Sequence, residues 1–545
     1  MVFLSTLLFS VFITIGLIPI CARVSARVHL MDVPNERKVH SVPVPKCGGI
    51  AIAIGALIPI LLWSHTEDFV RWYLIGGGII FVFGLIDDVK GIGCMAKFAV
   101  QSAAALIAII PGGVRIKNLG MLLPDGLLLP DWVSIPLTLV AIVGVTNAIN
   151  LSDGLDGLAG GISLLSFCCI AYLAYRVEVT VIVLLSVALA GAIFGFLRFN
   201  THPASIFMGD TGSQFLGFSA IVLCLKLTQD GRALSPLLPL IILGFPVLDT
   251  IVVMAQRLQE RRPLFSADKN HFHHRLMRLG LYQTESVLII YMLQALLVTS
   301  AFLLHFHSEW LVLISYLLFS SVVTGVFTLA DKTGYRVKRF HLVDHIIKGR
   351  LRVWRERGTI IKVSFHIIEF GIPSLLLFTC FLPAHLSYYG SYLALALIGL
   401  IVMMWRFWRK HLNLVLRSVL YILIPYAIYM GDTATVSWMP PWLTRYYNLS
   451  FFIFAIFIIL TVKFSRRKQG FKSTPMDFLI LFIALVVPNL PVEEIQSYRL
   501  GLVAAKIITL FFSYEVLMAE LRGKFGKLAI FTILSLGVIL TKGFL

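Results

Sequence analysis

Four polar side chains lie close together in one glycine-rich stretch of an otherwise apolar region: Asn147, Asn150, Asp153 and Asp156. Apolar runs precede and follow this stretch, so these residues stand where one membrane span would end and the next would begin. Because uncompensated carboxylates are costly at the edge of a bilayer, they usually have a function there. On a helix, Asp153 and Asp156 would share a face. A polar loop with a Gly-rich turn is the alternative interpretation.

A further acid, Asp210, lies in the sequence Gly209-Asp210-Thr211-Gly212, which predicts a turn between two spans. The glycines leave backbone N–H groups free to face an anion. Magnesium takes one or two carboxylates with substrate phosphates and keeps several waters. Asn150, Asp153, Asp156 and Asp210 would suit such an ion, whereas a purely structural Asx turn is the alternative.

Asp87 and Asp88 form a third acidic group, at the end of another apolar segment. Side chains of neighbouring helical residues diverge by about 100°, so the two cannot reach one atom unless the helix has ended. One could contact a metal or a proton while the other positions Lys90. An acidic helix end beside Lys90 explains the pair equally well.

Basic and histidine side chains cluster in two further segments. The first cluster comprises His271, His273, His274 and Arg275. It has no thiolate and many cations, so it suits a pyrophosphate better than zinc. The second cluster comprises Arg37, Lys38, His40 and Lys46. It would hold another phosphate, or it merely follows the positive-inside rule.

The elements that must position these groups are predicted to be membrane-spanning helices. Of the 545 residues, 58% are hydrophobic and 14% are charged. Backbone polar groups inside a lipid bilayer must find their hydrogen-bond partners within the protein. We therefore predict an all-α polytopic transmembrane bundle. Apolar windows predict about 11 spans in a catalytic domain at 1–330 and about 7 in a C-terminal region at 363–545. Residues 331–362 are predicted to be a basic cytoplasmic linker or surface helix.

The distribution of charge predicts the topology. The net charge of +18 does not indicate a nucleic-acid partner, because the basic residues concentrate in alternate loops, as cytoplasmic loops do. Every candidate loop then falls on the cytoplasmic side, with the N-terminus outside. Phosphoryl transfer requires little beyond alignment, charge neutralisation and a metal. A site at the membrane edge implies a lipid substrate.

In this order, the motifs resemble those of the polyprenyl-phosphate N-acetylhexosamine-1-phosphate transferases. The resemblance covers roughly residues 1–330 and rests on 32–40, Gly48-Gly49, Asp87-Asp88, 147–161, 207–213 and 271–274. It implies transfer of a sugar 1-phosphate from a UDP-N-acetylhexosamine to polyprenyl (undecaprenyl) phosphate, with release of UMP. It implies Mg²⁺ as cofactor, with Mn²⁺ as an alternative ion. It also implies the cytoplasmic leaflet of a bacterial inner membrane and the first membrane step of a cell-envelope polysaccharide.

The resemblance also implies roles for individual residues. Asp210 would bind magnesium, with Asn150 as a second ligand, and Asp87 and Asp88 would activate the lipid phosphate. The acids implied in nucleotide binding or catalysis are Asp153 and Asp156. The histidine cluster would bind the pyrophosphate or the sugar. Beside these implied roles, Asn147 and the second basic cluster are candidate substrate-binding residues.

The histidine motif separates the branches of this family. Its form resembles the branch that uses UDP-N-acetylglucosamine and starts O-antigen, enterobacterial common antigen or teichoic acid linkage. Phe272 interrupts the run of three histidines typical of the phospho-muramoyl-pentapeptide transferases, which are the alternative within the family. An ion-coupled transporter is the alternative of another class; it predicts charges near the bilayer midplane and repeated halves. A homodimer is compatible with the sequence but not required by it.

Overall fold

The computed structural model describes most of the chain, namely residues 2–28, 30–32, 43–64, 67–124, 127–229, 234–263, 270–334, 336, 359–383, 388–409, 412–433, 439–464, 500–521 and 525–544. Within them, β-structure is limited to two antiparallel strands of two residues each, β1 (Met31–Asp32) and β2 (Val44–Pro45). The all-α prediction is confirmed.

Residues 1–338 contain the first of two compact units, and the second lies within residues 339–545. Apart from a short 3₁₀ turn at Gly120–Leu122, the helices of the first unit are α1 (Val2–Arg27), α2 (Gly48–Trp63), α3 (Asp68–Lys90), α4 (Cys94–Ile109), α5 (Asp131–Leu151), α6 (Leu158–Arg176), α7 (Thr180–Asn200), α8 (Gly209–Gln229), α9 (Leu238–Ile242), α10 (Gly244–Gln259), α11 (Phe272–Arg278), α12 (Gln283–Leu304) and α13 (Glu309–Thr333).

The second unit is helical as well. Its helices are α14 (Thr359–Phe381), α15 (Tyr388–Phe407), α16 (Leu412–Thr433), α17 (Pro441–Phe464), α18 (Leu500–Leu521) and α19 (Gly526–Phe544). They enclose an apolar core of their own. Residues 465–499 of the C-terminal region and most of the predicted linker at 331–362 lie outside the described residues.

Ten of the described helices are long and apolar enough to cross a membrane, eight in the first unit and two in the second. Shorter apolar helices such as α2 and α4 accompany them. A multi-pass membrane protein follows from these lengths. The numbers of spans in the two parts stay predictions.

Helix α8 is the centre of the first unit, since it is buried almost throughout and packs against α2, α3, α5 and α6. Glycines permit this close packing. A Cβ atom on Gly49 would lie 2.3 Å from the backbone nitrogen of Gly212, and one on Gly84 would lie 2.6 Å from the Cα of Thr211. Helices α2 and α3 therefore approach the start of α8 at backbone contact distance.

The helix ends differ from the prediction in three places. Helix α3 continues to Lys90 and α5 continues to Leu151, so the predicted acids and amides near these ends are helical. The sequence at Asp210 was predicted to form a turn, but it is the first turn of α8. The acids of α3, the asparagines of α5 and Asp210 are thus held by helices rather than by loops.

The close approach of α3 to α8 can be tested at Gly84. A Gly84→Ala variant places a methyl group against the backbone of Thr211, which cannot move aside as a side chain could. We expect overpacking to cost about 1–3 kcal/mol, measured as a lower Tm in detergent. The matched control is Gly78→Ala on the same helix, where a Cβ meets nothing within 4 Å. Equal Tm values for the two variants would contradict the packing described here.

Candidate active site

Lys97 joins two of the predicted acids. Its Nζ lies 2.9 Å from Oδ2 of Asp210 and also pairs with Asp87. Asp87 stands in the last turn of α3, Lys97 in the first turn of α4 and Asp210 in the first turn of α8. Three helix ends therefore meet at one end of the bundle and bring two carboxylates to a single ammonium group.

The sequence reasoning missed Lys97. A signal was present, because Lys97 is the single charged residue of the apolar helix α4, and an ionisable residue in such a segment suggests a function. Its partners, however, are 10 and 113 positions away in the chain, so spacing alone could not connect them.

Asp88 has a different set of partners from Asp87, as expected from the divergence of neighbouring helical side chains. Its Oδ1 accepts a hydrogen bond from the backbone N–H of Asp210 at 2.9 Å. Its Oδ2 accepts two more from Thr211, one from the backbone N–H at 2.9 Å and one from the hydroxyl at 2.6 Å. Asp88 thus satisfies N–H groups that the start of α8 leaves without intrahelical partners. The predicted role of Asp88 toward a lipid phosphate stays a prediction.

Gly209 makes this capping possible. Its φ is +73°, in the left-handed region that favours glycine. A Cβ at Gly209 would also lie 2.6 Å from Oδ2 of Asp88. The glycine lets the carboxylate of Asp88 approach the first amides of α8.

The two candidate asparagines on α5 are hydrogen-bonded to polar side chains of α8 and α4. Oδ1 of Asn150 accepts a hydrogen bond of 2.7 Å from the hydroxyl of Ser213 on α8. Nδ2 of Asn147 donates to Gln101 at 2.6 Å, and Gln101 donates to Gln214 at 2.9 Å. Helices α4, α5 and α8 are therefore linked by a buried polar network, whose glutamines the sequence reasoning did not single out.

Asp153 lies in the turn between α5 and α6, which we call the glycine-rich turn (residues 152–157). Of the two alternatives for Asp153 and Asp156, the structure shows the turn and not the shared helical face, because α5 ends at Leu151 and α6 starts at Leu158. Burial, together with the negative charges of Asp210 and Asp88, raises the pKa of Asp153 to about 7. Asp153 therefore takes up a proton more readily than an ordinary aspartate.

Asp156 contacts the segment that leads into α8. Its Oδ2 lies 2.7 Å from Nδ1 of His202 and accepts a hydrogen bond of 3.1 Å from the backbone N–H of Ala204. Nearby, Oδ1 of Asn200 accepts from the backbone N–H of Gly157 at 2.9 Å. These bonds fasten the glycine-rich turn to the end of α7, and the predicted catalytic role of Asp156 stays a prediction.

The histidine cluster was predicted to be a loop, but most of it forms the short helix α11, which we call the His helix. His271 precedes it, and its Nδ1 lies 2.9 Å from Oδ2 of Asp249 on α10. Oδ1 of Asp249 accepts a hydrogen bond of 2.8 Å from the backbone N–H of Phe272. On the same helix, Nε of Arg275 donates to Asp331 at 3.0 Å. His271 and Arg275, both predicted to bind substrate, are therefore engaged with carboxylates of the same unit.

His273 faces the glycine-rich turn. A Cβ on Gly154 would lie only 2.5 Å from Nε2 of His273. The side chain is buried, and burial together with His274 and His271 lowers its pKa well below the usual histidine value. His273 is therefore neutral at physiological pH and can accept or donate a single hydrogen bond at each ring nitrogen.

Lys46 follows strand β2, and its Nζ lies 3.0 Å from Oδ1 of Asp32. Burial opposes its charge, but the hydrogen bond to Asp32 and the charges of Asp88 and Asp210 outweigh burial and raise the pKa of Lys46. Its ammonium group therefore stays charged within the field of the acids at α8. The other three members of this predicted cluster lie outside the described residues: Arg37, Lys38 and His40.

The described residues contain no group of three or more His, Cys, Asp or Glu side chains close enough to hold a metal. The neighbouring carboxylates of Asp87 and Asp210 already hold one cation, the ammonium of Lys97. Magnesium usually needs only one or two carboxylates, since water and substrate phosphates complete its shell. The donors present at this end of α8 therefore fit a magnesium ion that binds together with a phosphorylated substrate.

Comparison with known proteins places these residues in a family. Residues 70–228 match the model of glycosyl transferase family 4. A probable undecaprenyl-phosphate N-acetylglucosaminyl 1-phosphate transferase of Bacillus subtilis (strain 168) is 37% identical over 316 residues, 56% of this chain and 88% of the relative. The undecaprenyl-phosphate alpha-N-acetylglucosaminyl 1-phosphate transferase of Escherichia coli (strain K12) is 31% identical over 364 residues, 65% of this chain and 96% of the relative.

A third relative, the decaprenyl-phosphate N-acetylglucosaminephosphotransferase of Mycobacterium leprae (strain TN), is 34% identical over 310 residues, 51% of this chain and 76% of the relative. The helical membrane unit and these matches define a membrane-bound glycosyl transferase of family 4. Within that class, the chain belongs to the polyprenyl-phosphate N-acetylglucosamine-1-phosphate transferases. The family resemblance in the sequence is confirmed, and the relatives favour this branch over the muramoyl-pentapeptide branch and over a transporter.

The role of Lys97 can be tested without an activity assay. In Lys97→Gln, the carboxylates of Asp87 and Asp210 stand together without their cation, at a cost of about 3 kcal/mol. We expect a lower Tm in the absence of divalent ions and a larger rise on adding Mg²⁺ than in the unaltered protein, because the ion replaces the lost positive charge.

The control for Lys97→Gln is Arg71→Gln. Arg71 forms an exposed ion pair with Asp68 at 3.4 Å, and such a pair contributes little. The assignment is refuted by equal Mg²⁺ responses in Lys97→Gln and in the unaltered protein.

Proposed function

We propose that this protein transfers N-acetylglucosamine 1-phosphate from UDP-N-acetylglucosamine to a polyprenyl phosphate and releases UMP. The observation that carries the proposal is the meeting of Asp87, Lys97 and Asp210 at one end of α3, α4 and α8, inside the segment that matches the family model. The charges stand at helix ends rather than at mid-helix, as a reaction at the membrane surface requires. The product would start a cell-envelope polysaccharide.

We propose Mg²⁺ as the cofactor, with Mn²⁺ as an alternative. Asp210 and Asp87 would supply carboxylate oxygens. Asn150 accepts a hydrogen bond from Ser213, which follows Asp210 by three positions on α8. The bound cation would neutralise charge on the diphosphate of the donor.

In the proposed reaction, an oxygen of the lipid phosphate attacks the sugar-linked phosphorus of the donor. The new P–O bond joins lipid phosphate to sugar phosphate, while the bond to the oxygen of UMP breaks and UMP leaves with the electron pair. Lys97 is placed to stabilise negative charge on the phosphates, and Asp87 is placed to orient the lipid phosphate or to take its proton. Asp88 holds the start of α8, and with it Asp210, in position.

For the donor, the proposed contacts are at the glycine-rich turn and the His helix. His273 lies against Gly154, and the neighbouring Asp153 faces the field of Asp210 and Asp88. A neutral His273 suits a hydrogen bond to the sugar or the diphosphate. Lys46 adds a positive charge toward the same acids.

We further propose that the site faces the cytoplasm from a bacterial inner membrane, with the N-terminus outside. The positive-inside distribution of the basic loops supports this orientation.

The metal assignment predicts the behaviour of Asp210→Asn. Loss of this carboxylate should lower transfer by roughly 100-fold or more, while the backbone amide that bonds to Asp88 is kept. The measurement is release of radiolabelled UMP with and without Mg²⁺ and polyprenyl phosphate. The control is Asp68→Asn, an exposed acid at the other end of α3. Undiminished transfer by Asp210→Asn would remove this residue from the site.

The donor assignment predicts the behaviour of His273→Gln. We expect KM for the UDP-sugar to rise about tenfold, the equivalent of one hydrogen bond, with kcat little changed. His307→Gln, at an exposed histidine outside the site, serves as the control. An unaltered KM for His273→Gln would exclude the His helix from donor binding.

A further inference from the structure

A polar pocket of about 520 Å³ lies beside the His helix. Its walls come from the ends of α10 and α13 and from the His helix itself, all within the first unit. The lining residues that carry charge are Glu260, Arg275, Arg278, Asp331 and Arg336, and Asn270 lies beside them. The volume is in the range of pockets that hold small ligands.

This pocket and the candidate active site contact opposite faces of the His helix. His273 lies against Gly154 in the glycine-rich turn, whereas Arg275 pairs with Asp331 on α13. Residues two apart on a helix point about 200° apart. The ring of Phe272, centred 4.6 Å from that of Phe327, packs the same helix against α13. The pocket is therefore separate from the acids at α8.

Two guanidinium groups of the pocket have no acidic partner among the residues that the structure describes. Glu260 accepts a hydrogen bond of 3.1 Å from Arg262, and Asp331 is paired with Arg275. Among the described residues, Arg278 has only a hydrogen bond of 3.3 Å to Asn270, and no acidic side chain pairs with Arg336. Both arginines are exposed at the pocket. An open pocket with two such guanidinium groups favours an anion, since guanidinium forks match phosphate oxygens.

We propose that this pocket binds a phosphate group through Arg278 and Arg336. The pocket stands at the end of α13, a candidate membrane span, so the phosphate belongs either to the headgroup of an anionic phospholipid or to a free phosphate. The ligand would contact the helix that carries His273 on its other face. This inference goes beyond the proposed transfer reaction and does not depend on it.

The experiment measures binding by the full chain in detergent. The probes are short-chain phosphatidylglycerol, short-chain phosphatidylcholine at equal concentration, and inorganic phosphate, with Tm as the readout. The test variant is the double substitution Arg278→Gln and Arg336→Gln. The matched control is Lys332→Gln, an exposed cation of α13 that does not line the pocket.

We expect a probe-dependent rise in Tm that Lys332→Gln retains and that the double variant shows only at concentrations at least about tenfold higher, because two charge-assisted hydrogen bonds are lost. A rise with phosphatidylglycerol alone identifies a lipid headgroup, and a rise with inorganic phosphate identifies a free phosphate. The proposal is overturned if the double variant responds to every probe as the unaltered protein does, or if phosphatidylcholine matches phosphatidylglycerol. Both arginines are exposed, so their loss removes no core contact, and size-exclusion chromatography verifies folding.

Discussion

The bond between Asp88 and the first turn of α8 is the constraint on which the site depends. A helix that starts inside a bundle leaves amide N–H groups that need partners, and it carries a partial positive charge at that end. The carboxylate of Asp88 places a negative charge at this end of the helix and accepts three hydrogen bonds from its first turn. Because it belongs to α3, the same carboxylate fixes α3 to α8 and so sets the distance between Asp87 and Asp210.

That arrangement concentrates negative charge, and the unit balances it with cations from elsewhere in the chain. Lys97 brings its ammonium between Asp87 and Asp210, and Lys46 adds a second positive charge to the same field. The carboxylates of Asp87, Asp88 and Asp210 still outnumber these two ammonium groups. The surplus is modest, so the proposed divalent cation would bind most strongly when phosphates share its coordination.

The sequence predicted those parts of the site whose signal is local. Asp87 and Asp210 were found because acids at the ends of apolar segments are costly and conspicuous. Lys97 was missed because its role arises from the packing of α4 beside α3 and α8, which no spacing in the chain records. Asp156 and Arg275 were predicted to act on substrate because the sequence does not reveal their partners within the protein. These partners, His202 and Asp331, lie 46 and 56 positions away in the chain. Residue type predicts that a charge needs a partner, but only the tertiary structure decides whether that partner is the protein or a ligand.

The His helix is a short element that contacts with neighbouring helices hold in place. At seven residues, it is too short to be stable by itself in water. Asp249 holds its start through His271 and the amide of Phe272, and Asp331 holds its middle through Arg275. The residues of the predicted phosphate-binding cluster therefore have different roles in the structure. His271 and Arg275 fasten the helix to α10 and α13, and this attachment holds His273 against Gly154. The α13 side, where the pocket lies, and the glycine-rich turn therefore contact the same short helix.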